Sequence, residues 1–158
     1  MVSTEPEHNM PLSTKSTSFV RVLAVSPYDE DHRALKAIFA HSRWTLYTAR
    51  STSDALECLH SNPVGVVVCE HDLPRATWKG LFDELASMTH PPRMIVTSRL
   101  ADDRLWAEVI NLGGFDVLAK PFSKSEVFHV ISMACRHWMD EETRAVAERA
   151  PCLCAAGR

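Results

Sequence analysis

A chain of 158 residues, 46% of them hydrophobic, suits one domain with a buried core and short appendages. No apolar run approaches the roughly 18 to 20 residues of a membrane span. A formal net charge of -3 leaves no electrostatic footprint for nucleic acid or acidic lipid. The cysteines are Cys58, Cys69, Cys135, Cys152 and Cys154, an odd number, and three of them sit inside apolar patterns. That argues against a secreted disulfide framework and for a reducing, cytoplasmic setting. Cys152 and Cys154 are separated by a single residue, a poor match to the paired spacing of a structural zinc site.

Residues 1–18 are rich in Ser, Thr, Pro and Glu without apolar periodicity, which predicts a disordered tail. They lack the basic start and apolar core of a secretory signal. Residues 19–25 read as a first strand, broken by Ser26 and Pro27. Asp29 is the expected N-cap of a helix carrying Leu35, Ile38 and Phe39. A short second strand over 44–48 precedes a helix that Ser51 caps and Asn62-Pro63 ends.

Residues 64–69 form an apolar, mostly β-branched run, the pattern of a strand buried on both faces. Pro74 cannot continue a sheet ladder, so Glu70 falls at the carboxyl end of this central strand. Residues 75–80 read as a polar loop, followed by a helix with Leu81, Phe82, Leu85 and Met88. A fourth strand spans 93–98, and the helix over 102–112 ends at Gly113-Gly114. A fifth strand over 115–119 stops at Lys120-Pro121. Ser123 then caps a last helix, which a charged stretch over 140–149 extends before a frayed end.

Strands alternating with helices imply an α/β fold with a parallel five-stranded sheet and right-handed crossovers. A flavodoxin-like (βα)5 domain with strand order 2-1-3-4-5 is expected over 19–139, with a helical extension and tail over 140–158. No Gly-x-Gly-x-x-Gly or Gly-Lys-Ser/Thr loop is present, and no nucleophile–base pair stands out, so an enzyme is not expected. In such sheets, ligands and chemistry gather at the carboxyl ends of the strands. Here those ends carry Ser26-Pro27, Glu70, Thr97-Ser98 and Lys120-Pro121.

In those residues the chain resembles the receiver domain of two-component response regulators. The features are Glu70 followed four residues later by Pro74, Thr97 at the fourth strand's end, Lys120-Pro121-Phe122, and the Gly113-Gly114-Phe115-Asp116 turn. The resemblance implies an acceptor Asp after strand three, an acidic pair after strand one that helps hold Mg²⁺, and Thr and Lys groups that bind phosphoryl oxygens. Thr97 and Lys120 match. Glu70 stands at the acceptor position, one methylene longer than Asp, and Ser26 and Pro27 stand at the acidic-pair positions. Val117 stands where the family often has an aromatic switch.

The expectation is therefore a degenerate, or pseudo-, receiver that acts by protein–protein interaction without phosphorylation, and without a DNA-binding output domain of its own. Glu70 either mimics the phosphorylated state or pairs with Lys120 and neutralises the pocket. The expected partner is another signalling protein: a histidine kinase, a regulator or an output protein. A homodimer through the face of helix four, strand five and helix five is the other interaction to expect, and an exposed Trp106 on helix four would serve either. No metal is expected. The alternative is a phosphoryl-accepting regulator using Asp72 or a first-loop acid, with Mg²⁺ held by Asp29 or Asp31. Those two acids otherwise cap and flank the first helix. Trp78 is expected on an exposed part of helix three or in the core. Cys69 should be a small buried apolar residue, and His71 a loop residue without a metal or phosphoryl role.

Overall fold

The computed structural model describes residues 20–149. The expected tail over 1–18 and the end over 151–158, with Cys152 and Cys154, lie outside the described residues. The strands are β1 (Arg21–Val25), β2 (Thr45–Ala49), β3 (Val66–Glu70), β4 (Asp72–Leu73), β5 (Ala76–Thr77), β6 (Arg93–Ser98) and β7 (Asp116–Ala119). The helices are α1 (Asp29–Phe39), α2 (Thr52–Ser61), α3 (Trp78–Ala86), α4 (Asp103–Leu112) and α5 (Lys124–Arg149).

The main sheet runs β2-β1-β3-β6-β7, parallel throughout. Counting only its own strands, this is the expected 2-1-3-4-5 order. Side chains alternate across the pleat. Val22, Ala24, Val66, Val68, Ile95 and Leu118 face one layer with Leu35, Phe39, Val127 and Ile131 of α1 and α5. Leu23, Val25, Val67, Cys69 and Val96 face the other, with Ala55, Leu59, Leu81, Leu85 and Val109 of α2, α3 and α4. Both faces of β3 are thereby covered, which is why its sequence shows no polar alternation.

Several local expectations need correction. The N-cap of α1 is Tyr28, whose side chain makes no capping bond, and Asp29 is the first helical residue. The stretch 75–80 is not a loop. β4 and β5 form a small antiparallel hairpin around Pro74 and Arg75, whose φ of 61° provides the left-handed residue this tight turn needs. Thr77 then caps α3, its hydroxyl accepting from the Gly80 N–H, and Trp78 opens the helix at 1% exposure. Trp78 is therefore a core residue. The Ser51 cap of α2 and the left-handed Gly113 ending α4 are as expected.

The last helix continues unbroken through Arg149. Trp138 packs over Gly65, where a Cβ would come within 2.8 Å of its ring, and lies 4.5 Å from the His90 ring. Glu141 pairs with Arg93 at the start of β6. These contacts fasten the extended part of α5 to the amino edge of the sheet. No helix among the described residues is long and apolar enough to cross a membrane.

Candidate functional site

The parallel register carries Ser26, Glu70, Thr97 and Lys120 to one edge of the sheet. Glu70 and Thr97 are direct partners in the β3–β6 ladder. The β1–β3 pairing sets Val25 beside Cys69, so Ser26 follows level with Glu70. Lys120 comes directly after β7, and its peptide to Pro121 is cis. Ser26, Glu70 and Thr97 are all buried.

At the centre is the Lys120 ammonium, which pairs with Glu70 Oε2 and with Asp31 Oδ2, the latter at 2.6 Å. Thr97 Oγ1 donates to the same Glu70 oxygen at 3.3 Å, and the Asp72 N–H donates to Glu70 Oε1 at 3.3 Å. Ser26 Oγ donates to Asp31 Oδ2 at 2.6 Å and accepts from the Tyr28 N–H at 3.1 Å. His32 Nε2 donates to the Ser26 carbonyl at 2.8 Å. The Tyr28 ring covers the group, 5.1 Å from Lys120 Nζ and 5.9 Å from the Arg99 guanidinium. A cavity of about 400 Å³ opens beside Glu70 and Lys120, with Tyr28, Asp72, Arg99 and Leu100 on its rim.

The three first-loop acids separate. Asp29 pairs with Arg50 on the surface, Glu30 is exposed, and Asp31 is 8% exposed and enters the pocket. Asp31 therefore does not merely flank the helix. Its signal was present in the sequence: Asp31 and Leu35, four apart, share the inward face of α1. Tyr28 carried no such signal, because its place depends on how the loop folds over Lys120.

Asp72 has a side chain 77% exposed and bonded to His71 Nδ1 at 2.9 Å. Pro27 is half-buried and makes no polar contact with the group. Burial first, then the neighbouring Glu70 carboxylate, push the Cys69 thiol up to about 12. On the α4–β7 side, Trp106 is 50% exposed, and its Nε1 donates to Asp116 Oδ1 at 3.2 Å. Val117 is half-buried on β7.

The family model described as response regulator receiver domain matches residues 22–132. None of the curated proteins matches the chain. Among solved structures, a signal receiver domain of an HD domain-containing protein from Pseudomonas fluorescens Pf-5 is 25% identical with a TM-score of 0.73, covering 81% of this chain and 95% of that one. A two-component response regulator from Clostridium difficile is 17% identical with a TM-score of 0.67, covering 74% and 96%. The beryllofluoride-activated NtrC4 receiver domain dimer is 21% identical with a TM-score of 0.68, covering 75% and 98%. At these identities the last two speak to the fold alone.

Proposed function

The chain belongs to the response regulator receiver family, and from that premise we propose that it signals without being phosphorylated, by binding a partner protein. One observation carries the reading. The two groups that would bind phosphoryl oxygens in this family, the Lys120 ammonium and the Thr97 hydroxyl, are both bonded to Glu70. Glu70 thus stands at the acceptor position and fills the place of the group it would accept.

The donor set for Mg²⁺ is also poor. This ion wants near-octahedral oxygen ligands, with carboxylates turned toward it. Glu70 and Asp31 each turn an oxygen to Lys120, and Ser26 and Pro27 bring no carboxylate. An acceptor one methylene too long compounds the problem, since a misplacement of about 1 Å can cost in-line transfer about a hundredfold in rate. Asp72, the alternative acceptor, is largely exposed and its carboxylate bonds His71, not Lys120.

The partner would be another signalling protein. The face around Trp106 on α4 and Asp116 on β7 is one place for it, or for a second copy of the chain, because a half-exposed tryptophan suits an interface anchor. The direct test is incubation with acetyl phosphate and Mg²⁺, read by intact mass. The expected result is no phosphoryl adduct. A stoichiometric adduct on Glu70, Asp72 or Asp31 would overturn the proposal.

A further inference from the structure

We propose that Asp31 is a second built-in anion, one that keeps Lys120 engaged independently of Glu70, so that an outside anion enters the pocket only when both carboxylates are gone. The inference rests on the receiver reading above and concerns how its site is held shut.

Asp31 comes from α1, not from a strand end, and meets a lysine 89 positions away in the chain. Its position does not depend on that lysine alone. Ser26 Oγ holds the same Oδ2 at 2.6 Å, and Ser26 is itself fixed by the Tyr28 N–H and by His32. An ammonium has three N–H donors. Around Lys120 two directions meet carboxylates, and the Tyr28 ring covers a further side at 5.1 Å. A phosphate ion reaching Lys120 would meet an ammonium already paired with two carboxylates, both of which repel it. Loss of Glu70 alone would leave Asp31 in place. Loss of both would leave Lys120 unpaired beside a cavity of about 400 Å³ that Ser98 and Arg99 also line.

The probe is inorganic phosphate, titrated without Mg²⁺ into the native protein, Asp31→Asn, Glu70→Gln and the double variant, with amide chemical shifts as readout. The native protein and both single variants should stay silent. The double variant should show saturable shifts at Thr97, Ser98 and Lys120. A response in Glu70→Gln alone would remove Asp31 from its guarding role. A silent double variant with a folded amide spectrum would overturn the proposal as well.

Should the double variant not fold, exchange of the Lys120 ammonium protons with water decides the matter. Exchange should stay slow in Glu70→Gln and in Ser26→Ala, where one carboxylate still holds the ammonium, and become faster when Glu70→Gln is combined with Ser26→Ala, which unfastens Asp31. Fast exchange in Glu70→Gln alone, or unchanged exchange in the combined variant, would contradict the inference. None of these arms uses a phosphoryl donor, so their failure leaves the acetyl phosphate result, and the reading it tests, standing on their own.

Discussion

An ammonium shared by two buried carboxylates responds unequally to the loss of its members. Replacing Lys120 with Met leaves Glu70 and Asp31 without their cation, and breaking a buried pair in this way costs about 3–5 kcal/mol. Asp31→Asn leaves Lys120 paired with Glu70 and forfeits a charge-assisted bond, about 1.5–3 kcal/mol. Chemical denaturation should rank the two variants in that order, and equal losses would contradict the shared-lysine arrangement. Cys69 adds a pH dependence. Its thiol is raised from 9.0 to about 12 in the folded protein, so the native state keeps this proton longer than the unfolded chain does. The stability tied to it is complete below about pH 9 and is lost as pH rises toward 12. The alkaline limb of a stability–pH curve should therefore flatten in Cys69→Ala. Glu70, Thr97 and Lys120 were legible in the sequence because strand ends are fixed by the apolar runs before them. Asp31 was less legible, because a run of three acids in a first helical turn is also what the helix dipole favours, and the sequence leaves open which of them turns toward the pocket.

Among the elements, the Ser51 cap of α2 and the glycine ending α4 were legible from local signals, whereas the N-cap of α1 and the features that depend on packing were not. The Asp102 side chain accepts from the Leu105 N–H at 2.8 Å and caps α4, which starts one residue after the expected helix. Asp102→Ala should cost about 1 kcal/mol, measured as a shift in the denaturation midpoint at unchanged slope. The β4–β5 hairpin and the early start of α3 were missed. The polar residues Arg75 and Lys79 hid a Trp78 that tertiary contacts draw into the core. The extended α5 was anticipated only as a charged helix, and its attachment is a packing fact. Gly65 makes room for the Trp138 ring, so Gly65→Ala should cost about 1–3 kcal/mol by overpacking. Denaturation should show that loss diminished when Trp138 is also shortened to Leu. Equal losses in both backgrounds would mean that the glycine acts through its backbone instead.

For the molecule as a whole, the alternation of apolar runs and helical periods was enough to give the parallel sheet and its order, because right-handed crossovers leave few other arrangements. The same arrangement brings four strand ends to one edge, where a receiver would build its phosphorylation site. In this chain that edge carries its own anions. The most direct measurement is titration of the native protein with Mg²⁺ and beryllofluoride, followed by amide chemical shifts. The account predicts no saturable shift centred on Glu70, Thr97 and Lys120. A saturable response there, spreading to β7 and α4, would mean that metal and phosphoryl analogue enter a pocket that this account holds closed.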